Sequence, residues 1–201
     1  MQKIEKLGSM PIETAKGFQK YKGKSWGEIS EEIKAPLRQQ LYGEQYGVCC
    51  YCCKSLGNER TTIEHLKSRK NYPNKPFDYD NLLLSCSVPR QCDNAKGSQE
   101  LLLTPLMNEC ENEISLNLAG ELESDSERGK EAIRILNLNS RQACQHRKNL
   151  FSMMSEVFGY DLPYKPPIEI KSEDALEILL NFLPDIGQKS ELRYIVKKLT
   201  V

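Results

Sequence analysis

The sequence is poor in histidine and has no net charge. Its 201 residues include two histidines, one tryptophan, and 28 acidic against 28 basic residues. A net charge of zero gives no support to nucleic-acid binding through overall charge. The mean hydropathy is −0.57, and no apolar run approaches the roughly 20 residues that span a membrane. We therefore expect no contact with a membrane.

The first residues also lack the pattern of a secretory signal. The stretch MQKIEKLGSMPIETAKG has no apolar middle segment, which a signal peptide requires. We therefore expect a soluble, cytoplasmic protein. The length corresponds to one domain or to a small core with helical additions, and it suffices to bury a conventional core.

The charges are unevenly distributed along the chain. Residues 1–100 hold 16 lysines and arginines against 12 acidic residues, and residues 101–201 hold 12 against 16. The first half is mildly basic and the second half mildly acidic. This asymmetry weakly favours contact between a polyanion and the first half.

Eight cysteines are many for a chain expected in the cytoplasm. Disulfides do not persist in a reducing compartment, so closely spaced cysteines there indicate metal ligands first. The stretch VCCYCC contains two overlapping C-x-x-C pairs. These pairs are Cys49 with Cys52 and Cys50 with Cys53. With Cys86 and Cys92, either pair can complete a tetrahedral site of four thiolates, which suits zinc.

We prefer Cys49 and Cys52, because Tyr51 then directly precedes the second ligand, as in many zinc knuckles. Four protein ligands leave no open position on the metal, so this zinc is structural. It would stabilise a segment too short to fold by apolar burial alone. Buried reduced cysteines that act as small apolar side chains are the alternative, and this is how we interpret Cys110 and Cys144.

Apolar spacing predicts helices around the cysteine-rich region. Apolar residues recur at three- and four-residue intervals over 26–46, with Ser25 as N-cap, whereas the polar stretch 16–24 is expected to be a loop or extended arm. Residues 127–158 are also predicted to be helical, with an interruption and a new N-cap at Ser140.

Two further helices are predicted nearer the end of the chain, over 172–183 and 190–199. Between the helices, the β-branched residues of 60–66 predict a strand, and NLLLSC is a second short apolar segment. The stretch QCDNAKGSQELL looks like a turn entering a helix, and a hairpin with AGEL as its turn is expected before residue 127.

His65 follows Glu64 on the predicted strand and lies between the two groups of cysteines. A histidine of near-neutral pKa is suited to taking a proton from water. A hard divalent ion held by carboxylates is suited to stabilising charge on a phosphate and helping the leaving oxygen. Because neighbouring side chains on a strand point to opposite faces, Glu64 and His65 share a site only if the strand twists or bulges, or if Glu64 acts through water.

The order of these residues resembles that of an HNH nuclease. The segments LYGEQYGVCCYC, TIEHLKS, YDNLLLSC and CDNAKGS occur over about residues 39–98. They are similar to the HNH effectors of Septu-type anti-phage systems, which also occur as the nuclease of certain retron systems. The resemblance implies an α+β fold with a small zinc-stapled, treble-clef-like ββα-metal core and helical extensions at both ends.

The resemblance also divides the chain into three regions. Residues 1–46 would form an N-terminal arm and helix, and residues 47–105 the HNH core with the four-cysteine zinc site. Residues 106–201 would form a mostly helical C-terminal region. That region either docks a partner or simply packs on the core.

The resemblance assigns roles to four residues. His65 would be the general base, Glu64 a ligand of a catalytic Mg²⁺ or Mn²⁺, and Asn81 the residue that orients the base. The third motif position, normally His or Asn, is Asp93 here, with Asn94 beside it as the alternative ligand. The extra negative charge of Asp93 would favour metal binding and hinder the approach of a phosphate.

Each of these residues also has a structural interpretation. Glu64 could pair with Arg69 or Lys70, Asn81 could cap the following segment, and Asp93 could be a helix N-cap. The basic residues around the site either contact phosphates or are solvated surface. They are Lys67, Arg69, Lys70 and Lys96. His146 lies in a polar helix, and we assign it no role.

Two functions from different classes follow. The first is a metal-dependent endonuclease that cleaves DNA or tRNA in anti-phage defence. For it the resemblance implies an ABC/SMC-like ATPase partner and, in retron versions, a reverse transcriptase complex. The second is a zinc-stapled module that binds nucleic acid or protein without cleavage. The joint presence of the four motif residues argues against this module.

Overall fold

The computed structural model describes residues 1–21, 25–57, 61–158 and 186–199. These residues combine helices with two small antiparallel sheets, so the α+β prediction is confirmed. The elements are α1 Ile12–Lys20, α2 Glu31–Glu44, β1 Thr61–His65, β2 Leu82–Cys86, α3 Cys92–Lys96, β3 Ser115–Leu116, β4 Leu122–Glu123, α4 Glu127–Ile135, α5 Arg141–Phe158 and α6 Ile186–Leu199. Within these ranges no helix is both long enough and apolar enough to cross a bilayer.

The strands β1 and β2 form an antiparallel hairpin. The register pairs Thr61 with Cys86 and His65 with Leu82. β-branched residues favour the extended conformation of β1, and every residue of the apolar strand β2 is buried. The strand predicted over 60–66 is confirmed for the described residues, and the apolar segment NLLLSC supplies the second strand. The short helix α3 packs against β2, which gives the order strand, strand, helix.

The helix predicted over 26–46 is divided in the structure. Residues Trp26–Glu28 form a single 3-10 turn, and the chain is extended at Ile29 and Ser30 before α2 begins at Glu31. Ser30 is a preferred N-cap residue, and acidic residues in the first turn complement the helix dipole. A helix start at Glu31 is therefore locally better than a continuous helix from Trp26.

The loop predicted over 16–24 is wrong for the residues that α1 covers. The helix α1 buries Phe18 and lies close to α2. A Cβ atom at Gly17 would lie 2.5 Å from Cγ2 of Ile33, so only glycine allows this approach. A narrow apolar face in a polar segment is enough to form a helix once a second helix covers it.

The region after residue 106 follows the predicted pattern where it is described. A hairpin of β3 and β4 turns at Gly120, whose positive φ of 75° favours glycine. Helix α5 begins after Ser140, whose hydroxyl accepts a hydrogen bond from the Ala143 amide at 3.2 Å, so the predicted N-cap is confirmed. The last helix begins at Ile186, earlier than predicted. The helix predicted over 172–183 lies outside the described residues.

The side chain of Gln45 joins the end of α2 to the strand β2. Its amide nitrogen donates to the carbonyl oxygens of Val48 and Leu84, at 2.9 Å each. Its amide oxygen accepts from the Leu84 amide at 2.7 Å. Gln45 is 2% exposed. Its side chain therefore supplies the hydrogen-bond partners that these buried backbone groups need.

We predict that Gln45→Leu lowers the free energy of unfolding by about 2–3 kcal/mol, because it leaves buried amide and carbonyl groups without a partner. Gln99→Leu is the matched control. Gln99 is exposed, and among the described residues its side chain makes only long hydrogen bonds, of 3.5 and 3.4 Å, so its replacement should change stability by less than about 0.5 kcal/mol. Chemical denaturation measures both. Equal effects would contradict the role given to Gln45.

Candidate active site and metal centre

A tight turn between Val48 and Ser55 presents the first two cysteines of the metal centre. The two ends of the turn form a β-bridge. Within it, the Cys49 amide donates to the Lys54 carbonyl at 2.9 Å, and the Cys53 amide donates to the Cys49 carbonyl at 3.0 Å. This conformation is a knuckle, the turn that suits C-x-x-C ligands.

Four cysteine sulfur atoms come together beside this knuckle. Their Sγ atoms all lie within 4.8 Å of one another, and the set can hold a metal ion. The four are Cys49, Cys52, Cys86 and Cys92. Two of these sulfurs, on Cys52 and Cys86, are 4.0 Å apart, and the Cys86 amide donates to the Cys49 sulfur at 3.3 Å. A group of four thiols this compact is compatible with structural zinc.

The overlapping pair, Cys50 and Cys53, lies outside this group. Both side chains are buried, and burial raises the pKa of each thiol. The Cys50 amide donates to the Leu84 carbonyl at 3.0 Å, which fixes the knuckle to β2. These two thiols act as small apolar side chains.

The electrostatics of the four-cysteine group favour a cation. Burial opposes ionisation of Cys49, yet hydrogen bonds from neighbouring thiols hold its pKa well below the usual range. The thiols of Cys49 and Cys86 hold the pKa of Cys52 well above its usual range, and burial does the same for Cys92. Four such groups cannot all ionise together without a positive ion among them.

Glu64 is a buried carboxyl group with two close partners. It is 2% exposed. Its Oε1 atom accepts a hydrogen bond from the Tyr51 hydroxyl at 2.7 Å and lies 2.7 Å from the Lys96 ammonium. Neither of these contacts uses Oε2. One carboxylate oxygen is thus fixed by Tyr51 and Lys96.

Asp93 supplies a second carboxyl group next to Glu64. It follows Cys92 at the start of α3, and its amide donates to the Ser85 hydroxyl at 3.3 Å. Burial, followed by a hydrogen bond with Asp93, raises the pKa of Glu64 to about 8, although Lys96 opposes this shift. A divalent cation between the two groups would lower the pKa of Glu64 again, and carboxylates are the natural ligands of Mg²⁺ or Mn²⁺. The donor set therefore fits such an ion.

His65 is held as a neutral imidazole. It is 6% exposed, and the edge of its ring meets Trp26 with 4.6 Å between the ring centroids. Its Nε2 atom lies 3.1 Å from the Pro76 carbonyl oxygen. A carbonyl oxygen can only accept, so Nε2 carries the proton and Nδ1 has a free lone pair. Burial lowers the pKa of His65 to about 4.

Asn81 braces the loop that holds His65 in place. Its side-chain oxygen accepts from the Lys67 amide at 2.6 Å. Its nitrogen donates to the carbonyls of Lys67 and Lys75, at 3.0 Å each. The loop so fixed includes Pro76, whose carbonyl orients the imidazole. Asn81 therefore acts on His65 through the backbone and does not touch it in this arrangement.

One cleft collects the two carboxyl groups and the imidazole. Its volume is about 610 Å³, and Glu64, His65 and Asp93 all line it. Glu64 contacts Tyr51 and Lys96, whereas His65 contacts Pro76 and Trp26. Such different partners are expected for neighbouring residues on a strand, whose side chains point to opposite faces. His65 is the last residue of β1, and the two neighbouring residues reach the same cleft there.

The basic residues selected from the sequence fall into three situations. Arg69 and Lys70 are exposed and line the cleft. Lys67 forms an ion pair with Glu100 at 3.0 Å. Lys96 is 1% exposed, and its ammonium donates to the His65 carbonyl at 3.0 Å. Lys96 is therefore an interior residue. It is the ion partner of Glu64, at 2.7 Å, whereas the sequence predicts Arg69 or Lys70 in this role.

Sequence reasoning missed four residues of this site. From the sequence, Tyr51 is notable only for its position directly before Cys52, whereas in the structure its hydroxyl donates to Glu64. Ser85 contacts the sulfur of Cys49 at 3.7 Å and also accepts from the Asp93 amide. Trp26 and Lys34 line the cleft from a segment far away in the chain. The one available signal was that Trp26 is the only tryptophan.

Neither a protein-family model nor a curated protein matches this chain. The geometry of the site and the resemblance of its motif therefore carry the functional interpretation.

We predict that the protein binds one zinc ion per chain, and that Cys86→Ala loses this ion and much of its stability, because zinc binding contributes directly to folding. Cys50→Ala is the control, since Cys50 is also buried but lies outside the group of four. It should keep the ion. Zinc content after gel filtration, measured by plasma mass spectrometry, distinguishes the two. Loss of zinc from both variants, or from neither, would contradict the assignment.

The buried histidine predicts a dependence of stability on pH. The pKa of His65 is about 4 in the folded protein against an ordinary value of 6.5. Between these values the unfolded chain binds more protons, so the free energy of unfolding falls as the pH drops from about 6.5 to about 4. We expect His65→Gln to remove about 3 kcal/mol of this fall.

Chemical denaturation of both proteins at a series of pH values, without added divalent ions, measures the effect. The raised pKa of Glu64 acts in the opposite direction, because stability is lost as the pH rises from 4.5 towards about 8. This contribution is common to both proteins and cancels in the difference. Parallel curves for wild type and His65→Gln would show that His65 ionises normally in the folded protein.

Proposed function

We propose that this chain is a metal-dependent endonuclease of the HNH type that hydrolyses phosphodiester bonds of nucleic acid. One observation carries the proposal. A neutral histidine with a free Nδ1 atom and two adjacent carboxyl groups line the same cleft, beside a group of four cysteines. A general base next to a site for a hard cation is the arrangement that phosphodiester hydrolysis requires.

In this proposal His65 removes a proton from the attacking water. The hydrogen bond from Nε2 to the Pro76 carbonyl leaves Nδ1 as the atom that accepts the proton. The low pKa keeps this nitrogen unprotonated at neutral pH. The same carbonyl then stabilises the imidazolium that forms, because the Nε2–H bond strengthens when the ring becomes charged.

Glu64 and Asp93 would hold the catalytic divalent ion, which supplies charge stabilisation on the phosphate and assistance to the leaving oxygen. Tyr51 and Lys96 position Glu64 by holding its Oε1 atom, and the ion would replace the hydrogen bond between Glu64 and Asp93. Asp93 takes the place that His or Asn has in the family pattern. Asn81 positions the base by fixing the loop around Pro76.

The biological setting of the proposal comes from the resemblance of the motif. By this resemblance the chain acts in anti-phage defence, under the control of an ABC/SMC-like ATPase, and in retron versions with a reverse transcriptase complex. The substrate is DNA or tRNA, because a histidine and a metal attack any phosphodiester that reaches them. The helices after residue 106 are the proposed docking region for the partner.

Cleavage assays test this function. We expect the protein to cut labelled DNA or tRNA in the presence of Mg²⁺ or Mn²⁺, alone or with a candidate ATPase. His65→Ala should lower the rate at least about 100-fold, the range that general-base catalysis contributes. His146→Ala is the control, since this second histidine pairs with Glu191 at 2.6 Å and has no role in the proposed chemistry. Zinc content and folding of both variants are checked first.

The assay also separates the alternative function. If His65→Ala cuts as fast as the wild type, the base is wrongly assigned. If the wild type binds nucleic acid or a protein but cuts nothing under any of these conditions, the zinc-stapled binding module becomes the better interpretation.

A further inference from the structure

The first half of α2 also lines the cleft. Three side chains spaced at i, i+3 and i+7 lie on one face of this helix and line the cleft. They are Glu31, Lys34 and Arg38. None of them belongs to the motif that suggested the HNH resemblance. They form a group of one anion, Glu31, paired with two cations, and none of the three has a role in the proposed catalysis.

Lys34 is a buried lysine whose ammonium group faces this cleft. Its side chain is 8% exposed. Among the described residues, the only hydrogen-bond acceptor of its ammonium is the Glu31 carboxylate, at the long distance of 3.5 Å. The ammonium also lies 5.3 Å from the centre of the Trp26 ring. Trp26 in turn contacts His65, so a single aromatic ring separates Lys34 from the proposed base.

Burial of an ammonium group with so weak a partner is costly. Lysine stems can cover apolar surface with the charged end directed to water, which accounts for part of this burial. It does not account for the position of the ammonium beside the ring that packs on His65. Coverage of apolar surface also does not explain why a second cation, Arg38, lines the same cleft.

Glu31 joins the two cations through separate oxygen atoms. Its Oε1 atom faces the Lys34 ammonium at 3.5 Å, and its Oε2 atom faces Nε of Arg38 at 3.3 Å. The Glu31 side chain is 69% exposed, so it can move away at little cost. Arg38 is fixed, because Nη1 donates to the Thr61 carbonyl at 3.0 Å. One mobile oxyanion therefore lies between two cations held in place by the fold.

We propose that Lys34 and Arg38 bind a backbone phosphate of the nucleic-acid substrate, and that Glu31 occupies this phosphate site in the free protein and is displaced when substrate binds. A phosphodiester offers two anionic oxygens to the two cations, as the carboxylate does. This inference rests on the proposed function for the identity of the ligand as nucleic acid. It adds a phosphate subsite on α2 and a built-in competitor that limits affinity.

The competitor also explains how a chain without net charge can engage a polyanion. Overall charge gives no attraction at a distance, and the two cations are partly neutralised by Glu31 until a phosphate replaces it. Binding would then depend on contacts made inside the cleft. Removal of the Glu31 charge should strengthen binding, whereas removal of the Lys34 charge should weaken it.

Nucleic-acid affinity tests this proposal separately from cleavage. Every protein carries His65→Ala, so that the probe stays intact, and the probes are a fluorescent single-stranded DNA and an RNA of the same sequence, with duplex DNA as a third. Anisotropy gives Kd at a series of salt concentrations, with Mg²⁺ present throughout. We expect Glu31→Gln to bind about fivefold more tightly than the parent on the probe that binds.

Lys34→Gln should bind more weakly and should reduce the slope of log Kd against log salt concentration by about one, the effect of one lost phosphate contact. Lys130→Gln is the matched control, because Lys130 also pairs with a glutamate three residues earlier on a helix, Glu127 at 2.8 Å, and is not among the residues that line the cleft. It should leave both quantities unchanged. In the double variant of Glu31 and Lys34, most of the gain from Glu31→Gln should disappear, which shows that the two act on one site.

The outcomes divide clearly. Unchanged affinity in Glu31→Gln overturns the proposal, and it does so even if Lys34→Gln is unstable, since a gain in affinity cannot arise from unfolding. A loss of affinity in Lys130→Gln equal to that in Lys34→Gln overturns it as well, and so does absence of binding by the parent and by Glu31→Gln alike. If the expected pattern holds while the protein with His65 intact cuts nothing, the phosphate subsite stands and the hydrolytic function falls.

Discussion

Four cysteine sulfur atoms from three segments of the chain lie within 4.8 Å of one another, and the rest of the candidate site depends on this arrangement. The knuckle contributes two sulfurs, the end of β2 a third, and the start of α3 the fourth. Each segment also carries a residue of the site. Tyr51 lies between the two knuckle cysteines and reaches Glu64, while Asp93 follows the last cysteine and contacts Ser85 through its amide. The convergence of the sulfurs thereby determines where the second carboxyl group and the partner of the first are placed.

The second constraint is the cost of burying charged groups around Glu64. A carboxyl group with 2% exposure is tolerable only if it is neutral or compensated. The structure provides both routes, because Lys96 stabilises the charged form while burial and Asp93 stabilise the protonated form, with a resulting pKa of about 8. A group so balanced changes its protonation readily when a cation approaches. Burial also favours the neutral form of His65, because it lowers the pKa of the imidazole to about 4. The ring then has a nitrogen that can act as a base.

Local patterns allowed the group of four cysteines and the strand that ends at His65 to be predicted from the sequence. The C-x-x-C spacing is satisfied within one turn, and the β-branched run before His65 favours a strand on its own. Features that arise from contacts distant in sequence were missed. Lys96 resembles a surface lysine in sequence, because its partner Glu64 is far away along the chain and only the packing of α3 on β2 buries the pair. The contact of Trp26 with His65 depends on the extended residues before α2, where apolar spacing predicted a continuous helix. The contacts that could not be predicted from local sequence are therefore those nearest the proposed catalytic residues, where several segments of the chain meet.

The central claim is that the chain holds two different metal sites side by side, one of sulfur and one of oxygen. Crystals grown with Mn²⁺ and measured at the zinc and manganese absorption edges would test it directly. The account predicts an anomalous zinc peak among Cys49, Cys52, Cys86 and Cys92 and a separate manganese peak between Glu64 and Asp93, in the cleft that contains His65. A zinc peak alone, with Glu64 still hydrogen-bonded to Asp93, would leave a structural metal centre and contradict the catalytic one. Manganese bound elsewhere would contradict the assignment of these two carboxylates.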